Sequence, residues 1–65
     1  MRIRELRKQL GLSQEQLSQL VGVKQASISL WESGSAEPSV KNIRKLVKIF
    51  NCTSDELLGA DRSPP

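Results

Sequence analysis

Apolar residues recur along most of this chain at the three- and four-residue spacing of amphipathic helices. A glycine or an asparagine follows each such stretch, and both residue types accept the left-handed backbone conformation that ends helices. These stop signals are Gly11, Gly22, Gly34, Asn51 and Gly59. No alternation of period two bounded by turn residues appears, so no strand is predicted. The pattern predicts an all-α domain of five short helices.

Capping residues mark where the predicted helices begin. Ser13 is followed three residues later by Gln16, and Thr53 by Glu56, which gives two capping boxes. Ser39 is a natural N-cap. The helices are predicted from about Arg2 to Leu10, from Ser13, from about Lys24 to Ser33, from Ser39 and from Thr53. Their predicted buried residues are Ile3, Leu6 and Leu10; Leu17, Leu20 and Val21; Ile28 and Trp31; Val40, Ile43, Leu46, Val47 and Phe50; and Leu57 and Leu58.

The length of the chain, 65 residues, leaves room for one domain. We predict that this domain covers residues 1–59. Residues 60–65 carry almost no apolar side chain with which to pack and are predicted to be a disordered tail.

Histidine is absent from the chain and cysteine occurs once. An internal disulfide, the usual zinc ligand sets and the histidine-based catalytic pairs are therefore excluded. We expect no enzymatic activity, no metal, no cofactor and no small-molecule substrate, and we interpret Cys52 as a small buried hydrophobic residue. No apolar run reaches the length of a membrane span, and no signal-peptide core follows Met1-Arg2. A cytoplasmic location is expected.

The connection between the second and third predicted helices is the most informative local feature. Leu20-Val21-Gly22-Val23 leaves only a few residues in which to turn the chain. A short, glycine-containing turn between two helices is typical of the DNA-binding helix-turn-helix. A plain hairpin of two helices has the same spacing, so the turn alone leaves both interpretations open.

A set of short motifs in the same order adds a family resemblance. The motifs are Leu12-Ser13-Gln14, Leu17-Ser18, Val21-Gly22-Val23, Ile28, Trp31-Glu32, Gly34 and Pro38-Ser39. With these residues the chain resembles the lambda-repressor-like (Xre-type) helix-turn-helix family over about Ile3 to Leu58. The resemblance implies a compact five-helix fold whose second and third helices read DNA, in proteins that are mostly transcriptional repressors.

The third helix has an outward face that carries no charge. At about 100° per residue, Trp31 and Glu32 lie on the same side as Ile28 and point inward. The opposite face consists of Gln25, Ala26, Ser29, Leu30 and Ser33. A solvated helix face normally carries lysine and glutamate, so this composition favours close contact with another surface. Leu30 is suited to a thymine methyl group.

Two residues at the start of the third helix are candidates for reading or holding DNA. The amide of Gln25 can donate and accept at once, as the edge of adenine requires. Lys24 stands where the family usually has a capping serine or threonine, which suggests that its charge serves a phosphate or a guanine. The alternatives are an ordinary surface glutamine and an idle surface lysine.

Phosphate contacts are expected around this helix. The resemblance implies that Gln14, at the positive end of the second helix, bonds a backbone phosphate. Residues 1–50 hold nine basic and four acidic residues, a net +5, whereas residues 51–65 hold one and three, a net −2. The loop Ser35-Ala36-Glu37 lacks the cation that is common in the family, and Lys41 and Asn42 are candidates to replace it. Arg44, Lys45 and Lys48 are expected to form a solvated face.

Arg7 and Glu32 match the family's arginine–glutamate pair, which links the first helix to the third. We expect them to brace the recognition helix, either as a plain stabilising ion pair or with Arg7 also reaching a phosphate. Ser18 stands where the family usually has alanine, and its hydroxyl is expected to bond back to the preceding turn.

Together these features predict a sequence-specific binder of double-stranded DNA, acting as a repressor and a weak homodimer on a two-fold operator. Leu58 and Ile49 are the candidates for the dimer contact. The alternative is a protein-interaction or antitoxin-type module of the same fold, which the absence of basic residues from the loop Ser35-Ala36-Glu37 favours.

Overall fold

Five α-helices make up the part of the chain that the structure, a computed structural model, describes, which is residues 1–59. They are α1 (Ile3–Gln9), α2 (Gln14–Val21), α3 (Gln25–Ser33), α4 (Val40–Phe50) and α5 (Ser54–Leu58). No strand occurs within these residues. The prediction of an all-α, five-helix domain is therefore confirmed, and the predicted tail 60–65 lies outside the described residues.

The predicted caps form as the sequence indicates. The Ser13 hydroxyl accepts from the Gln16 backbone N–H at 3.0 Å, and the Gln16 side chain accepts from the Ser13 N–H at 2.8 Å. Thr53 and Glu56 form the same reciprocal pair at the start of α5. The Ser39 hydroxyl caps α4. These bonds supply partners for amide groups that a short helix leaves unpaired at its first turn.

One hydrophobic core draws residues from all five helices. Its buried members are Ile3, Leu6, Leu17, Val21, Ile28, Trp31, Leu46, Phe50 and Leu57. A backbone bond also ties the two ends of the domain together, because the Arg2 N–H donates to the Leu57 carbonyl at 2.8 Å. The core thus positions α2 and α3 against α1 and α4. No helix within residues 1–59 has the length and apolar character to cross a membrane.

Three apolar residues predicted to be buried are exposed instead: Leu10 by 50%, Leu20 by 57% and Val40 by 67%. For Leu20 the reason is rotational, since Ser18 and Leu20 lie on opposite sides of Leu17 on α2 and it is Ser18 that turns toward the core. Leu10 directly follows the last residue of α1, and Val40 is the first residue of α4. Both stand at a helix end, where the core stops.

Candidate nucleic-acid interface

The turn between α2 and α3 contains only residues 22–24. Gly22 ends α2 in the left-handed conformation, with φ at +87°, where a side chain would be strained. The N–H groups of Gly22 and Val23 both donate to the Ser18 carbonyl, at 2.8 and 3.0 Å. The Ser18 hydroxyl donates back to the Glu15 carbonyl at 2.6 Å, as predicted. The turn is therefore tightly fixed.

Lys24 is the N-cap residue of α3 and is exposed. Its side chain makes no capping hydrogen bond, whereas the capping residues of α2, α4 and α5 all do. The first turn of α3 therefore lacks the side-chain acceptor that the other capped helices have. An anion placed there would meet both the Lys24 charge and the positive end of the helix.

The outward face of α3 is exposed, as predicted. Every residue of this face is exposed to solvent: Gln25, Ala26, Ser29, Leu30 and Ser33. Leu30 keeps 46% of its surface accessible. The Ser33 hydroxyl is already occupied, since it lies 3.1 Å from the Leu30 carbonyl and 3.0 Å from the Ser35 hydroxyl. The face is uncharged and exposed along its length.

Behind this face, a buried carboxylate links three helices. The Glu32 side chain of α3 is 0% exposed, and Arg7 of α1 donates to it through Nε at 2.7 Å and Nη2 at 3.3 Å. Gln14, the first residue of α2, donates to the same carboxylate from Nε2 at 3.0 Å. The structure thus brings together three of the residues singled out from the sequence, and it fixes the start of α2 against α3.

The donors around Glu32 outweigh the cost of its burial. Burial by itself raises the pKa of a carboxyl group, but the hydrogen bonds from Arg7 and Gln14 and the Arg7 charge favour the ionised form more strongly. The pKa of Glu32 is therefore held below its usual value. At neutral pH the Glu32 carboxylate is therefore ionised and anchors α1 and α2 against α3.

Two parts of this anchor were not found from the sequence. Arg4 also approaches Glu32, with its Nε 3.4 Å from Oε1, and Arg7 Nη1 donates to the Leu12 carbonyl at 2.8 Å. The spacing of Arg4 and Arg7 on α1 was a usable signal, since residues three apart share a helix face. The Leu12 contact involves a backbone carbonyl, for which the sequence has no signal.

Lys41 and Asn42 lie in the first turn of α4, across the loop from the end of α3. Lys41 is exposed, and Asn42 is half-buried with its N–H bonded to the Ser39 hydroxyl at 3.2 Å. Glu37 in the intervening loop is exposed. Lys41 is thus the basic residue that α4 presents nearest to this loop.

Lys45 is exposed, as expected of a solvated face, but its ammonium group also makes a contact that we did not expect. Its Nζ donates to the backbone carbonyl of Val21, the last residue of α2, at 3.1 Å. No local pattern indicated this contact, which spans 24 positions and joins two helices. Arg44 and Lys48 are exposed, as expected.

The remaining candidates lie away from this surface. Ile49 of α4 and Leu58 of α5 are both half-buried, so each retains part of its apolar surface. Cys52 is half-buried against the core, and its burial and the nearby Glu56 raise the pKa of its thiol. Such a thiol stays protonated, in keeping with a packing role. Residues 1–59 contain no cluster of histidine, cysteine and acidic side chains that could hold a metal ion.

The Helix-turn-helix family model matches residues 3–57. The chain is similar to the Repressor protein C2 of Salmonella phage P22, with 42% identity over 62 residues, 95% of this chain and 29% of that protein. It is 37% identical over 60 residues to the HTH-type transcriptional activator BcrR of Enterococcus faecalis, covering 92% of this chain and 29% of that protein. An uncharacterized HTH-type transcriptional regulator of Archaeoglobus fulgidus is 38% identical over 56 residues, 86% and 80% of the two chains.

The chain thus spans less than a third of the first two relatives and most of the third. All three carry the names of transcription regulators, and none is named as an enzyme. This agrees with the absence of histidine from the chain, which excludes the histidine-based catalytic pairs. No solved structure matches the chain significantly.

Proposed function

Because the chain belongs to the lambda-repressor-like helix-turn-helix family, we propose that it binds double-stranded DNA sequence-specifically as a transcriptional regulator. The observation that carries the proposal is the outward face of α3. Its five residues are exposed and uncharged, and the first of them, Gln25, comes directly after the exposed cation Lys24. In helix-turn-helix proteins the second helix of the unit enters the major groove with its N-terminal end first.

We assign the reading of bases to Gln25 and Leu30, which have the two longest side chains of this face. Gln25 stands at the first position of α3, and its amide can bond N6 and N7 of adenine together. Leu30 offers an apolar contact for a thymine methyl group. Ala26 and Ser29 are short and let the helix backbone come close to the bases, and Ser33 extends the same face at its far end.

Phosphate contacts frame the groove on both sides. Gln14 lies at the positive end of α2, and its Nε2 has a second hydrogen besides the one that faces Glu32. Lys41 and Asn42 lie at the corresponding end of α4. Lys24 is the exposed N-cap residue of α3. Such contacts fix the protein on the duplex without reading its sequence.

We further propose a repressor that acts as a weak homodimer on a two-fold operator. Two-fold pairing would set two copies of α3 about 34 Å apart, in successive major grooves. Ile49 and Leu58 are half-buried in the single chain and are the candidates for the contact. The similarity to a phage repressor supports repression, whereas the similarity to an activator is a reason to test the direction of regulation.

A second candidate function is a protein-interaction or antitoxin-type module with weak DNA binding. The specific observation in its favour is the loop Ser35-Ala36-Glu37, which contributes an acid and no cation beside the proposed interface. The salt dependence of binding separates the two functions. Binding to DNA phosphates releases counterions, so the affinity falls steeply as salt rises. Binding to a protein surface of mixed charge releases fewer counterions, so its affinity depends less on salt.

The experiment is selection of a site from a random duplex pool, followed by affinity measurements on that site and on random duplex over a range of salt. We expect one enriched sequence and a log–log slope of about −0.9 for each phosphate contacted. Lys24→Ala should reduce the slope by about one unit. Lys48→Ala, an exposed lysine elsewhere on the domain, should leave it unchanged. A slope indistinguishable from zero in the parent chain contradicts DNA binding.

A further inference from the structure

The C-terminal end of α2 receives a lysine from another helix. Lys45 of α4 donates from Nζ to the Val21 carbonyl at 3.1 Å. The same Nζ lies 3.9 Å from the point where a Cβ on Gly22 would stand, so the ammonium group sits directly over the turn. Within its own last turn α2 has no basic residue.

Electrostatics gives this contact a definite role. The last carbonyl groups of a helix have no partner within it and together carry a partial negative charge. At the end of α2, the N–H groups of Gly22 and Val23 both go to the Ser18 carbonyl. The Val21 carbonyl accepts instead from Lys45 Nζ. The cation that a helix usually supplies from its own last turn comes here from α4.

We infer that Lys45 is a positioning residue of the DNA-reading unit: by capping α2 from α4, it fixes the turn from which α3 departs. This inference rests on the proposed function. Only residues 22–24 separate the capped carbonyl from Gln25. A small rotation at this turn would move the whole outward face of α3, because that face begins immediately after it.

Lys45 is also expected to favour DNA binding through its charge. The negative end of α2 lies beside Lys24, where the phosphate backbone is expected to approach. Lys45 compensates that negative charge on the protein side and makes the turn compatible with a nearby anion. Lys45 then affects DNA affinity without touching DNA, which distinguishes it from a residue that bonds a phosphate directly.

The test uses the whole chain and three variants. Lys45→Met keeps the length of the side chain and removes the charge and the donors. Lys45→Arg keeps both the charge and donors. Lys48→Met makes the matched change three residues on, at a lysine of the same helix that is exposed like Lys45. Two quantities are measured: amide hydrogen exchange at Gly22 and Val23 without DNA, and affinity for the selected site and for random duplex as a function of salt.

For Lys45→Met we expect faster exchange at the turn amides and a loss of affinity for the selected site of about two- to fivefold, the scale of one charge at a helix end. The salt slope should stay that of the parent chain. Lys45→Arg should restore the parent's exchange and affinity, and Lys48→Met should match the parent in exchange.

Three results would overturn the inference. A salt slope reduced by about one unit, with equal losses on selected and random DNA, would make Lys45 a phosphate contact. Equal behaviour of Lys45→Met and Lys48→Met in both measurements would remove any special role. Unchanged exchange at Gly22 and Val23 would refute the cap itself, whatever the DNA result. Absence of salt-dependent DNA binding in the parent chain refutes the proposed function instead, and the exchange data then decide on the cap separately.

Discussion

Glu32 is the residue through which α1, α2 and α3 are held together. Its side chain is fully buried and carries a charge, and Arg7, Gln14 and Arg4 supply the donors that make this burial favourable. Removal of one partner from a buried pair leaves the other charge uncompensated. The anchor is therefore expected to be important for stability and, through Gln14, for the orientation of α2.

Arg7→Ala should lower the free energy of unfolding by about 3 kcal/mol, the lower end of the usual range for a buried pair, because Gln14 and Arg4 still donate to Glu32. Lys48→Ala is the matched surface change and should stay within about 0.5 kcal/mol. Chemical denaturation of both variants measures the difference. Equal stabilities would show that the pair contributes nothing to the fold.

Acid should weaken the same anchor. The pKa of Glu32 in the folded chain lies below its usual 4.5, so the ionised carboxylate stabilises the fold above that pH. This stabilisation is lost as the pH falls through the folded-state pKa. Thermal unfolding of the parent chain and of Glu32→Gln should show a difference in Tm that is full at pH 7 and shrinks below about pH 4.5. A difference that is constant from pH 7 to pH 3 contradicts this account.

Gln25 is the residue on which sequence discrimination should depend. Gln25→Ala should cost about 1–3 kcal/mol on the selected site and relax the preference at one position in each half-site. Competition titrations against single-base variants of that site measure both effects. Ser29→Ala, a change on the same exposed face, serves as the control. Full retention of the parent's preference by Gln25→Ala would show that another side chain reads the base.

At the scale of elements, short helices are defined here by their ends. The longest helix has 11 residues and α5 has only five, lengths that are marginal for an isolated helix in water. The two capping boxes and the Ser39 cap fix the first turns, and left-handed residues close α2, α3 and α4. One of these, Asn51, is not a glycine and has a φ of 53°.

Gly22→Ala should destabilise the domain by about 1 kcal/mol. The cause is the positive φ of Gly22 rather than a clash, since an added Cβ would meet only Lys45 Nζ at 3.9 Å. Gly22→Asn should be milder, because asparagine tolerates the left-handed region. Thermal unfolding ranks the three proteins. A ranking in which asparagine is as harmful as alanine would point to lost space instead.

At the scale of the whole molecule, charge and exposed apolar surface are distributed unevenly. The first fifty residues carry a net +5 and the rest a net −2. Leu10, Leu20, Leu30 and Val40 remain exposed on four different segments of the chain. Single exposed apolar residues are normal on a monomer, whereas a stable interface needs about 1,000 Å² or more of buried surface.

We therefore expect weak self-association without DNA. Sedimentation at micromolar concentration should show a monomer or a concentration-dependent mixture, and a two-fold site should shift it to a dimer. Leu58→Ala should reduce the cooperative binding of two copies to that site more than Leu10→Ala does. A tight dimer without DNA, or equal effects of the two substitutions, contradicts the proposed contact through α5.

The periodicity and the end signals were sufficient to predict five helices and their caps, because these depend on residues within one turn of each other. Glu32 was placed inward on α3 by the same helical geometry. By contrast, Leu20 has the spacing of a buried residue but is exposed. The spacing of apolar residues defines one side of a helix, but it does not show which edge of that side a neighbouring helix covers. Arg4 was missed although it shares a face with Arg7.

What the sequence by itself determined is local: the helices, their ends, and an uncharged face on α3 that begins with Gln25. What only the tertiary structure decided is how helices distant in the chain meet. Gln14 contacts Glu32 across 18 positions and Lys45 contacts Val21 across 24. The physical reason is that a capping hydrogen bond joins residues within one helical turn, so the nearby sequence is enough to predict it. A contact between a lysine and a carbonyl on different helices depends on how whole helices pack, and no local pattern in a single sequence indicates that packing.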